Sequence, residues 1–242
     1  MSNDRSARVL GHCHTLTVLL VLMLVAAPLA TRFGLIHFKI GLLLTALAVL
    51  LSAVMLAAAL LMLCWPKLRA NRSRLLRIAA IALLPVAIGA RVIVPNLDRP
   101  AIHDIATDIA DPPQFIAAPM LRSSASNPLQ RDATLDAAQS AGYPQLQGIS
   151  SELTPEQAYE RVLATAESLH WNVHFTAPER GLIEASETTF WFGFIDDVVI
   201  RVRPAGSGSR IDLRSVSRVG QGDLGANADR IERFLRSFQE SS

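Results

Sequence analysis

The stretch VVIRVRPAGSGSRIDLR, residues 198–214, decides how the C-terminal half of this chain folds. Val198, Ile200 and Val202 alternate with Val199, Arg201 and Arg203, the period of a strand with one buried face. Pro204–Gly208 breaks the run, and beyond it Ile211 and Leu213 alternate with Arg210, Asp212 and Arg214. Folding the loop symmetrically sets Val202 opposite Ile211, Ile200 opposite Leu213 and Arg201 opposite Asp212. The apolar pairs then share one face, and the ion pair lies exposed on the other. A slip of one residue would exchange the two sets, so the register is well specified.

The flanking residues extend this hairpin into a domain. Leu182–Thr189 reads as another strand, and Trp171, Val173 and Phe175 alternate with Asn172, His174 and Thr176 in a further one. Thr154-Pro155-Glu156-Gln157 is a helix start, with an N-cap hydroxyl, proline at N1 and Gln at N3. Tyr159, Val162, Leu163, Ala166 and Leu169 make its apolar stripe. A last helix begins at Asp223, with Leu224, Ala228, Ile231, Leu235 and Phe238 on one side. The order helix, four strands, helix predicts a two-layer α+β domain over residues 153–242, an antiparallel four-stranded sheet covered by two helices. Phe190–Phe194 reads as strand, packing one face into the core and leaving Trp191 for a pocket or partner surface. Residues 96–152 read as an extended acidic segment, Ile102–Phe115, followed by a linker.

The first 95 residues are a different material. They hold ten Lys/Arg and one acid, whereas the remainder holds thirteen Arg and twenty acids. The apolar excess lies almost wholly in the first part, which excludes a single soluble domain, a disordered chain and a disulfide scaffold. Three transmembrane helices are predicted, at about 15–36, 40–66 and 75–95; a span needs about 20 residues. The third carries Arg77 and Arg91 near its ends, where they can snorkel, and Pro85 between them. The first reads as a retained helix, because Ala27-Pro28-Leu29-Ala30 fits a signal-peptide cleavage site poorly. Lys67, Arg69, Arg72, Arg74 and Arg77 form a basic loop between the second and third spans. Positive charge stays in the cytoplasm, so the C-terminal domain is expected outside it.

Known chemical motifs are thin. Gly220-Gln221-Gly222-Asp223-Leu224-Gly225 matches a dinucleotide fingerprint in letters only; no strand follows, and Asp223 would repel phosphate. It reads as a turn in which Asp223 caps the last helix through a backbone N–H at N2 or N3. His170 and His174 straddle a helix end, and His12-Cys13-His14 has no partner cluster, so no metal site is expected. Asp196 and Asp197 point to opposite faces of a strand and cannot share a proton. The acid excess of the domain argues against nucleic acid. No catalytic residue and no cofactor is assigned.

Phe192-Gly193-Phe194, Asp196-Asp197-Val198, Ile200–Pro204 and above all Asp212-x-Arg214-Ser215-Val216-Ser217-Arg218-Val219-Gly220 resemble the domain of unknown function 1499 family. Asp223-Leu224-Gly225-x-Asn227-Ala228-x-Arg230-Ile231 and Phe234-Leu235 continue the likeness, and Ile102–Phe115 resembles the family's N-terminal element. It covers residues 100–240 and is to the membrane-attached bacterial branch. The resemblance implies no activity. It draws notice to Arg214–Arg230, and Arg214, Ser217, Arg218, Asp223, Asn227 and Arg230 are the candidate ligand-binding set.

The leading expectation is a multi-pass protein of the bacterial inner membrane that presents a binding or assembly domain outside the cytoplasm. Its partners would be the lipid bilayer and an envelope protein or anionic ligand. The alternatives are a hydrolase or other enzyme acting through the polar cluster, and a transporter or lipid-handling subunit. The scarcity of intramembrane acids counts against ion transport.

Overall fold

A computed structural model describes residues 2–240, without the side chains of residues 2–5 and 67–69. The expectations for Lys67 and Arg69 therefore rest on side chains outside the described residues. The chain divides into two units, Met1–Leu97 with Phe190–Gly193, and Asp98–Thr189 with Phe194–Ser242.

The first unit is built on α1 (Ser2–Arg32), α2 (Phe38–Leu63) and α3 (Arg72–Ile93). Each provides a stretch long and apolar enough to cross a membrane: Ser6–Arg32, Phe38–Leu63 and Arg72–Asn96. Pro28 and Pro85 lie inside helices rather than ending them. Small residues let the helices approach closely. A Cβ on Gly41 would collide with Thr31 Oγ1, and one on Gly89 would lie 2.6 Å from Val49 Cγ1. The hydroxyls of Thr17, Thr31 and Thr45 each donate to the carbonyl four residues back, so these polar groups are satisfied within their own helices.

The second unit is an α+β fold around one antiparallel sheet. Its elements are β1 (Asp104–Ala106), the short α4 (Ala118–Leu121), α5 (Ala133–Gly142), β2 (Ile149–Ser151), α6 (Pro155–Ser168), β3 (Asn172–Ala177), β4 (Leu182–Thr188), β5 (Ile195–Ala205), β6 (Gly208–Ser217) and α7 (Ala226–Glu240). The sheet runs β1-β6-β5-β4-β3, with β2 also pairing β6. The register of the β5–β6 hairpin is the expected one: Ile200 faces Leu213, Arg201 faces Asp212 and Val202 faces Ile211. The capping box at Thr154 and Gln157 is present as read.

Four strands were expected, and the sheet has six. The two extra ones come from residues 96–152, which were expected as extended segment and linker. β1 and β2 are three residues each, too short to show a period, and both lie along the outer edge of β6. Gln139 of α5 completes β1. Its amide accepts from the Ala106 N–H at 3.1 Å and donates to the Ala106 carbonyl at 2.6 Å, as a neighbouring strand would.

Two boundaries also move. The last helix starts at Ala226 rather than Asp223, because Leu224 and Gly225 take left-handed conformations (φ 54° and 84°) that interrupt the chain first. Leu224 is exposed instead of lying on the apolar stripe, and Phe234 is buried there. Phe190–Gly193 is a loop, not a strand. Thr189 and Phe194 close it with two hydrogen bonds, and Gly193 turns it at φ 68°. Phe190 and Trp191 are consequently exposed, so core packing does not account for them.

The apolar core lies between one face of the sheet and the helices. Ile183, Ala185, Val198, Ile200, Val202, Ile211 and Leu213 meet Val162 and Ala166 of α6 and Ala228, Ile231 and Phe234 of α7. Trp171 stacks on Phe234 with ring centroids 5.2 Å apart. The opposite face was expected to be solvated. It is covered by the irregular chain between β1 and α5, with Phe115 and Ile116 packed against Val199, Ala177 and Leu182.

Candidate functional site

The six candidate residues do not converge. Opposed residues in an antiparallel ladder share a face, so Glu184, Val199 and Arg214 lie on one side of the sheet, and Glu187, Asp196 and Ser217 lie on the other. Arg214 and Arg218 belong to the first side. Ser217, Asn227 and Arg230 belong to the second, with Asp223 before α7.

On the first side Arg214 is 1% exposed. It donates two hydrogen bonds to Asp104, from Nε at 3.0 Å and from a terminal nitrogen at 2.8 Å, and others to the carbonyls of Pro113 and Leu129. The Phe115 ring lies 5.5 Å from its guanidinium. Arg131 reaches the same Asp104 at 2.9 Å. Beside them, Arg218 grips both oxygens of the buried Asp197, which also receives Arg122. Burial, together with the like charge of Arg218, holds the Arg122 guanidinium below its ordinary pKa against the pull of Asp197. Glu184, fully buried, accepts from the backbone amides of Ile116, Ala117 and Ala118 and so pins the covering chain to β4.

On the second side a closed network joins β5, β6 and α7. Asn227 accepts from Ser215 at 2.6 Å and from Arg230 at 2.7 Å, and it donates to Ser217 at 2.8 Å. Arg230 also donates to Asp196 and to Glu187. Asp196 and Asp197 thus take separate arginines on opposite faces, as their adjacency in a strand required. Asp223 accepts from the amides of Gly225 at 2.8 Å and Asn227 at 2.7 Å. Asn227 is the second residue of α7, so the expected N2 bond is made, from outside the helix. The same carboxylate occupies amides that a phosphate would need, the physical reason this glycine-rich turn suits a capping role. Burial raises the Asp223 pKa, and the two amides oppose it.

The predicted Arg201–Asp212 ion pair forms at 3.7 Å, but it is not exposed: Asp212 is fully buried. Arg203 and Arg210 also contact Asp212, at 2.9 and 3.3 Å, and Asp108 and Asp111 bind the outer sides of Arg201 and Arg203. Burial pushes the Asp108 pKa up, yet the Asp111 amide and the guanidiniums of Arg203 and Arg201 hold it below its ordinary value. Three arginines meet three carboxylates, which leaves no net positive charge for an anion. This cluster borders an open cleft of about 650 Å³, lined also by Ser140, Tyr143 and Gln147. None of the six candidate residues lines it.

Among the described residues, no group of three or more His, Cys, Asp or Glu side chains is placed to hold a metal ion. Sequence reasoning missed Asp104, Arg122, Arg131, Gln139 and Glu184. The signal available was the mixed character of the polar strand face. Val199 and Val216 alternate there with Arg201, Asp212 and Arg214, and a face meant for water does not need the valines.

No curated protein matches the sequence. Residues 104–238, more than half of the chain and nearly the whole of the second unit, match the model of a family described as "Protein of unknown function (DUF1499)", and the chain belongs to that family.

Proposed function

We propose that this protein is a membrane-anchored, non-enzymatic component of a bacterial envelope that presents its α+β domain outside the cytoplasm for binding or assembly. One observation carries the reading. The polar residues of Arg214–Arg230 are spent on one another and on buried carboxylates, in two networks on opposite faces of the sheet. Such networks hold a shape, whereas a catalytic centre needs polar groups converging on a space that substrate can enter. The anchoring side of the proposal is supported by the three apolar helices. The placement outside the cytoplasm is supported by the basic residues between α2 and α3.

The test compares stability with function. Arg230→Lys and Arg218→Lys, in the full chain, are measured by thermal unfolding and by complementation of a strain lacking the protein. Function should fall only as far as stability falls. A variant that unfolds normally but fails to complement would return the enzyme reading to the front. A compartment-sensitive reporter after residue 242 should be active only when exported.

A further inference from the structure

We infer that the loop Phe190–Phe192 is a second membrane attachment, with its aromatic rings seated in the bilayer interface at the end of the first span. The inference rests on the reading of α1–α3 as membrane spans. It does not depend on which compartment the domain occupies.

Phe190 is 72% exposed and Trp191 is 51% exposed, and their rings meet edge to face at 5.3 Å. Large adjacent aromatics in water mark an interaction surface. The tip is held in shape by the Thr189–Phe194 closure and the left-handed Gly193. No charged residue occurs from Thr188 to Ile195, so nothing in the loop opposes entry into a lipid interface.

Three observations identify lipid as the occupant. Residues 190–193 group with the helices, in the same unit as Arg32. Within that unit, the Arg32 guanidinium donates to the Phe190 carbonyl and lies 5.7 Å from the centre of its ring. Arg32 closes the first apolar stretch, which is the depth where hydrocarbon gives way to headgroups and where Trp, Phe and snorkelling Arg gather. Finally, three consecutive spans alternate in direction. Arg32 and Asn96 therefore reach the same membrane face, and the α+β unit begins at Asp98. Seven residues separate Asn96 from Asp104, eight steps along the chain with a reach of at most about 29 Å.

The experiment uses the native tryptophans of the full chain, reconstituted in vesicles of phosphatidylcholine with brominated acyl chains. Trp171 is buried in the core and out of reach of lipid. Trp65 follows α2 and reports the span reading; Trp191 reports the loop. In Trp65→Phe, emission should shift to the blue, lose intensity to brominated lipid and resist aqueous iodide. The double variant Trp65→Phe, Trp191→Phe should lose that quenchable component. In Trp191→Phe, quenching of Trp65 confirms that the helices are inserted. Quenched Trp65 with Trp191 open to iodide overturns the inference alone. Trp191 shielded from both quenchers also overturns it, because a protein surface then covers the loop. Neither tryptophan quenched overturns the span reading and the inference together.

Discussion

The two faces of the sheet are both buried, and they are buried by different means. The helix-covered face is mostly Ile, Val, Ala and Leu meeting the stripes of α6 and α7, with the Asp196–Arg230–Asn227 network at the end of β5 and β6. The other carries Glu184, Asp197, Asp212 and Arg214, each at most 1% exposed, under a chain that is mostly irregular. Apolar contacts are undirected, so the first face has some freedom to repack. The charged face has little, because each ion is tolerable only while its partner stays at hydrogen-bond distance. The apolar part of one side is forgiving, and the charged side is brittle.

The comparison breaks most visibly at Arg214. Arg214→Ala leaves Asp104 buried with only Arg131, and it should cost about 3–5 kcal/mol. Chemical unfolding of the full chain in detergent, followed through Trp171, measures it; a cost near zero would mean the charged face is solvated after all. Asp223→Ala removes the acceptor before α7 and should cost about 0.5–2 kcal/mol at neutral pH. Acid sharpens the contrast. Burial lifts the folded Asp223 pKa above its ordinary value of 3.8, so folding favours its protonated form, and the gap between wild type and Asp223→Ala should widen as pH falls through that raised pKa towards 3.8. Asp108 on the charged face has a lowered pKa. Its contribution is complete above 3.8 and disappears as pH falls through the folded value, so the gap for Asp108→Ala should close. Unfolding midpoints across acidic pH test both signs. On the forgiving face, Ile200→Val should cost only about 0.5–1.5 kcal/mol. The smallest effect is expected at the rim, where Arg233 meets Glu187 at 2.7 Å while half exposed; Arg233→Ala should cost about 0–1 kcal/mol.

The forgiving face was legible in the sequence because alternation is a statement about burial alone. Val198, Ile200 and Val202 against Ile211 and Leu213 specify the hairpin register that the structure has. The capping box at Thr154 was legible because its partners are three residues apart. The brittle face was not. Asp104 and Arg214 are 110 residues apart, and nothing local in either announces the other. Short β1 and β2 carry no period, and residues 107–130 hold only the four-residue α4, so the cover over the charged face read as linker. The six candidate residues looked like one cluster because they are near in sequence. A strand sends neighbours to opposite sides, and the sheet divides them.

β1 follows the third apolar helix after a short connection, yet its partner β6 is the penultimate element of the chain. At synthesis rates of about 5–20 residues per second, the 110 residues between Asp104 and Arg214 take on the order of ten seconds to appear. Through that interval Asp104 has no Arg214 to meet, and the edge of β1 has no strand to join. A contact of such long range is also slow to close once both ends exist. The segment made first in this domain is therefore among the last to find its place, and a chain truncated anywhere before β6 leaves it unpaired.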